Sequence, residues 1–116
     1  NMSHKKALKL KSECDIFIDQ VHNRGGWGYG MNSIEALSMG LCCLTELIPE
    51  YVEFIPDHPF ININGENLYS TLIDILDNPP KIHHHKKMGR EWVVNKHDLT
   101  YTAEKLYEFY REKSWL

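Results

Sequence analysis

The sequence predicts an α/β fold with about three parallel strands, flanking helices and a helical C-terminal region. Three observations carry this. Short, almost wholly apolar runs at 15–19 and 41–45 are rich in β-formers, the pattern of strands covered on both faces. Amphipathic stretches lie between and after them. The order helix, strand, helix, strand, strand, then helices is that of parallel sheets with helices outside. With 116 residues, 42% hydrophobic and 25% charged, the chain is expected to be a single domain over 1–116 with a real core.

The first helix is expected over 4–13, where Ala7, Leu8 and Leu10 sit among lysines. Asp15-Ile16-Phe17-Ile18-Asp19 is the first strand. Residues 20–30 are a loop holding four of the seven glycines. A helix follows from about 33 to 39, and Gly40 stands where a left-handed C-terminal cap belongs. Leu41-Cys42-Cys43-Leu44-Thr45 is the second strand, and 46–58, with Pro49 and Pro56, a loop. Phe60-Ile61-Asn62-Ile63 is a short third strand ended by Asn64-Gly65. Leu68, Leu72, Ile75 and Leu76 mark one side of a helix over 66–77, which Asn78-Pro79-Pro80 breaks. Further helices are expected at 81–95, with Trp92 in the core, and at 101–113, with Ala103, Leu106 and Tyr110 at helical spacing. Asp98 is placed to cap the last one.

Charge is uneven. Residues 1–24 carry five basic and three acidic groups, or +2; 25–80 carry eight acidic and no basic groups, or −8; 81–116 carry eight basic and five acidic, or +3. The one tight basic cluster, Lys5, Lys6, Lys9 and Lys11, fits a solvated helix face, so no phosphate-tracking nucleic-acid surface is expected. No run approaches the roughly 18 apolar residues of a membrane span, and no signal peptide opens the chain, so a cytoplasmic protein is expected. Three cysteines, Cys14, Cys42 and Cys43, make a poor disulfide framework and fit small buried thiols; no Cys-x-x-Cys pair suggests zinc or thioredoxin chemistry. Adjacent residues His83, His84 and His85 point about 100° apart on a helix and do not converge on a metal. No metal or cofactor is expected, and His97-Asp98 lacks a nucleophile partner.

The stretch from Gly25 to Gly40 carries the most chemistry. It joins a strand end to a helix start, where glycines let backbone amides approach a ligand and helix amides hold an anion such as a diphosphate. With no Lys or Arg in 25–80, that anion must rely on amides, Arg24, a metal or another chain. Asn32 with Glu35 resembles a capping box. The same residues also fit a tight turn with Glu35 as a cap. The glycine spacing is not a dinucleotide fingerprint, and no Walker loop occurs.

At Gly28-Tyr29-Gly30 and Ser33-Ile34-Glu35-Ala36-Leu37-Ser38-Met39-Gly40 the chain resembles the C-terminal domain of retaining GT-B glycosyltransferases, glycosyltransferase group 1. The resemblance runs on through Glu66-Asn67-Leu68-Tyr69, the 76–79 break, Gly89–Val93 and His97-Asp98. It implies a partial Rossmann-like fold, the second half of that domain, and a site for a nucleotide-diphosphate sugar. The implied donor-binding residues are Gly28, Tyr29, Gly30, Met31, Asn32 and Glu35, with Glu35 on the ribose hydroxyls; none is implied to be catalytic. A second glutamate of many members is matched here by Trp27, and the family's upstream Arg and Lys have no counterpart. The resemblance therefore implies a donor-side fragment, inactive alone and completed by a missing N-terminal half; separately, the open edge of a three-stranded sheet predicts self-association, most simply a homodimer. The other reading is a non-catalytic assembly or binding module derived from that fold. A receiver-like domain would need about five strands and an acidic pocket near its start.

Overall fold

A computed structural model describes residues 1–22 and 28–116. Its elements, in chain order, are α1 (His4–Ser12), β1 (Ile16–Ile18), α2 (Met31–Ser38), β2 (Cys42–Thr45), α3 (Pro49–Phe54), β3 (Ile61–Asn62), α4 (Leu68–Leu76), α5 (Pro79–Lys96) and α6 (Leu99–Glu112). The strands form one parallel sheet in the order β1-β2-β3, with Ile16 opposite Cys42, Phe17 opposite Cys43 and Leu44 opposite Ile61. The expected α/β architecture of three parallel strands, flanking helices and a helical C-terminal region is therefore present.

Strand alternation divides the core. Cys43 faces Leu37, Leu47, Phe60, Trp92 and Val93, with Phe17 and Tyr29 packed alongside. Cys42 and Leu44 face Ile63 and Ile75, with Ile16, Leu68 and Ile82 alongside. α5 contributes to both layers. Midway, Lys86 reaches Asp15, just before β1, at 2.7 Å, and His85 Nδ1 meets the Pro59 carbonyl, just before β3, at 3.1 Å. The helix thus passes across the amino ends of β1 and β3. Gly89 makes this approach close: a Cβ there would lie 2.6 Å from Leu37 Cδ2.

β2 is buried at every residue, as expected of a central strand. β1 is not covered on both faces. It is three residues long, lies at the sheet edge, and exposes Ile18. The segment 46–58 is not all loop: Pro49 opens α3, with Glu50 in its first turn. Proline there is preset for a helix start and loses no needed amide. The same logic places Pro79 and Pro80 inside the first turn of α5 rather than ahead of it. Leu76, expected on the buried side of α4, is exposed, because the helix ends there and only Ile75 is fully buried.

Gly40 behaves as its position predicts. It has φ +76°, its N–H donates to the Leu37 carbonyl at 3.0 Å, and the Leu41 N–H donates to Ala36 at 3.0 Å, a Schellman cap. Asp98 caps α6 by accepting from the N–H groups of Thr100 and Tyr101. Cys42 and Cys43 are buried, and desolvation pushes their thiols up to about 11 and about 12, so both stay protonated at neutral pH. Cys14 departs from the expectation and is exposed.

α6 buries no residue, and Leu99 is 83% exposed. The molecule measures 52 × 33 × 31 Å with a radius of gyration of 16.0 Å. A compact domain of this length would have about 13 Å. Trp115 folds back on Phe109 and Tyr110, at ring separations of 5.8 and 5.6 Å, and remains largely exposed.

Candidate functional site

In parallel α/β sheets ligands sit at the carboxyl ends of strands. Here that edge carries Asp19 and Gln20 after β1, Glu46 after β2, and Asn64 after β3. The chain crosses it with backbone pairs: Asp19 N–H to Leu44 carbonyl and Glu46 N–H to Gln20 carbonyl, both 3.0 Å. Gln20 Nε2 also donates to the Gly28 carbonyl, tying the glycine loop to the end of β1. The Asn62 side chain stands in for a strand partner, accepting from Leu47 N–H at 2.9 Å and donating to its carbonyl at 3.3 Å.

Gly28 has φ +109°, and a Cβ there would lie 2.5 Å from Tyr51 Cδ1, so only glycine fits without displacement. Tyr29 turns its side chain into the core. Its ring lies 4.9 Å from Phe60, 5.5 Å from Trp92 and 5.9 Å from Tyr51, centroid to centroid. Tyr29 Oη and His97 Nε2 share a hydrogen bond at 3.1 Å. Burial first, and Tyr51 second, pushes the Tyr29 phenol up to about 12; burial lowers the His97 pKa, favouring the neutral ring. Tyr29 thus fastens the loop to Phe60, just before β3, and to the end of α5, and its side chain is turned away from the helix start.

Gly30, extended, is the N-cap of α2, which places Met31 and Asn32 at the first two helical positions. The helix begins two residues earlier than the sequence suggests, so the Asn32–Glu35 capping box does not form. Asn32 already lies inside the helix, and Glu35 is one turn in. The third helical residue, Ser33, is buried and donates to Asp19 Oδ2 at 2.5 Å. This sets a carboxylate beside the amino end of α2, where negative charge is favoured by the helix dipole. Met31 is exposed.

Glu35 is held from another direction. Lys11, on α1, donates to Glu35 Oε2 at 2.7 Å and to Asn32 Oδ1 at 3.3 Å. Its ammonium also lies 4.8 Å from the centre of the Phe17 ring. The Lys11 side chain is only 12% exposed, so it does not belong to the solvated face formed by Lys5, Lys6 and Lys9. The hydrogen bond and charge of Lys11 lower the Glu35 pKa. His4 Nε2 stands 3.7 Å from the other carboxylate oxygen. A cation therefore reaches the start of α2 from upstream, although none occurs in the sequence between 25 and 80.

The structure brings Gly28, Gly30, Met31, Asn32 and Glu35 to one strand-to-helix junction and sends the Tyr29 ring elsewhere. The residues Asn23, Arg24, Gly25, Gly26 and Trp27, including the position that matches the family's second glutamate, lie outside the described residues. Sequence reasoning missed four participants. Lys11 could have been found from its spacing: it shares a helix face with His4 and Ala7. Asp19 had a signal as the first polar residue after a strand. Ser33 and His97 had none, since their partners lie 14 and 68 residues away.

Beside the junction is a polar cavity of about 480 Å³ lined by His22, Glu46, Asn64, Gly65 and Glu66. His22, with φ +76°, donates its N–H to Glu46 Oε2 at 2.6 Å. Among the described residues no three His, Cys, Asp or Glu side chains are grouped to hold a metal, and no helix is long and apolar enough to cross a membrane. The His83–His85 run is divided, with His85 turned to Pro59 and the other two exposed. Comparison with family models, with curated proteins and with solved structures finds no match for this chain.

Proposed function

We propose that the chain is a glycosyltransferase-like domain supplying the donor side of a retaining transfer from a nucleotide-diphosphate sugar, and that alone it binds donor without turnover. One observation supports this most: a glycine-rich loop leaves the carboxyl edge of a parallel sheet and enters α2 through Gly30, with a carboxylate, Glu35, one turn inside. Amides at such a helix start suit a diphosphate. A carboxylate accepts two hydrogen bonds from a vicinal diol, which suits ribose. Titration of the chain with uridine, adenosine and guanosine diphosphates and their sugars, followed by calorimetry, is expected to show saturable binding to at least one base at sub-millimolar to millimolar concentration. No binding up to millimolar, with the far-ultraviolet spectrum intact, removes the donor-site reading.

The second reading is a non-catalytic assembly module, most simply a homodimer. The specific observation in its favour is α6, which buries none of its residues against the described ones. Light scattering over a concentration series is expected to show mass rising towards twice 13.6 kDa. A constant monomer mass at the highest concentration sets this reading aside.

A further inference from the structure

Lys11 is an uncommon lysine. Its ammonium lies over the Phe17 ring, and its side chain is only 12% exposed. Both of its polar contacts, Asn32 and Glu35, are on α2, and both belong to the residues assigned above to the donor. The Glu35 side chain is 27% exposed, so the pair is half-open to water on the carboxylate side, and an ion pair open to water contributes little to stability.

We infer that Lys11 is a positioning residue for ribose recognition: its ammonium pins Glu35 Oε2 so that the carboxylate is held in one orientation with its remaining lone pairs open to the diol. The inference rests on the donor-site reading and adds to it a residue that the resemblance does not supply. An ionised carboxylate has about four acceptor positions; Lys11 uses one on Oε2, and the exposed His4 ring, 3.7 Å from Oε1, is beyond hydrogen-bond distance. A free glutamate must give up side-chain rotamer freedom when it grips a ligand. Lys11 has already removed that freedom. The Asn32 contact holds the ammonium itself at the first turn of α2, so the pair moves with the helix rather than with solvent.

The test compares each ribonucleoside diphosphate with its 2′,3′-dideoxy counterpart, because only the diol differs. The unmodified chain is expected to prefer the ribose form by roughly ten-fold, the size of one to two charge-assisted hydrogen bonds. Lys11→Met, similar in length and uncharged, is expected to bring that ratio close to one while leaving the dideoxy affinity nearly unchanged. Lys11→Arg is expected to keep most of it. Thermal melts of each variant establish that the fold persists. A merely structural Lys11 would lower both affinities together. A ratio that survives Lys11→Met, or a ribose affinity that rises because Lys11 had been competing for Glu35, overturns the inference. A ratio insensitive to Glu35→Gln, or no binding by the unmodified chain, overturns the donor-site reading and the inference with it.

Discussion

Trp92→Ala is expected to be the most damaging single substitution in the body of the protein. Trp92 is 7% exposed and joins α5 to the glycine loop and β3, with its ring 5.5 Å from Tyr29, 5.8 Å from Phe60 and 5.0 Å from His97. Truncating a buried tryptophan costs about 3–5 kcal/mol, from lost burial and from the cavity left behind. A domain of this size has about 6–17 kcal/mol of net stability in all. The midpoint of thermal unfolding is expected to fall by about 10–20 °C. Trp92→Phe keeps an aromatic ring against Tyr29 and is expected to cost about 1–2 kcal/mol. Urea unfolding monitored by far-ultraviolet circular dichroism gives both numbers. A loss under about 1 kcal/mol for the alanine variant would mean that the aromatic cluster does not hold the layers together. The effect should reach the loop as well, because Tyr29 has no other large anchor on α5 besides Trp92 and His97.

The second large effect is expected at Gly28. Alanine there faces two separate penalties. Its backbone angle of +109° lies where a side chain is strained, at about 1–2 kcal/mol, and its methyl group would enter the Tyr51 ring. Overpacking of that kind adds about 1–3 kcal/mol. The two parts can be separated. Placed in a Tyr51→Ala background, Gly28→Ala is expected to lose the clash and keep the backbone penalty. A double-mutant cycle from chemical unfolding should therefore give a coupling of about 1–3 kcal/mol, with the double variant more stable than the sum of the singles predicts. Strict additivity would show that Gly28 and Tyr51 do not meet in solution. Nucleotide binding, measured on the same variants, is expected to weaken with Gly28→Ala, because the amides it displaces are those assigned to the diphosphate.

The parts of this fold legible in the sequence were those written in local terms. Cys42–Thr45 announced a central strand by unbroken apolar content, Gly40 a left-handed cap by position, and Asp98 a helix start by side-chain chemistry. α3 was missed because a six-residue helix has too few turns for periodicity to register; Pro49 was its only mark, and proline also marks loops. The start of α2 was misplaced for a different reason. Asn32 and Glu35 have the spacing of a capping box, but the helix gains an extra half-turn ahead of them, where Gly30 can adopt the N-cap geometry and Asp19 meets Ser33 from the neighbouring strand end. That choice is made by tertiary contact, which local spacing does not record. The candidate site divides the same way. The loop and Glu35 were visible as a motif on consecutive residues. Lys11 was assigned to solvent because it stands in a cluster of four lysines; its spacing with His4 and Ala7 was the available signal, and its contacts with Asn32 and Glu35 on α2 set it apart.

The strand order of the sheet has a consequence for how the molecule assembles. Because β1, β2 and β3 pair in the order in which the chain presents them, each new strand finds its partner already formed and adjacent. No strand must wait for a later one to be inserted between neighbours, and each closure spans a single crossover. Loop-closure entropy is therefore met in small instalments, the condition under which parallel sheets, otherwise slow to form, fold with least delay. α5, later in the chain than all three strands, spans the amino ends of β1 and β3. The spatial order of the sheet thus runs in the same sense as the chain, so a sheet built during synthesis is expected to add each strand at an existing edge.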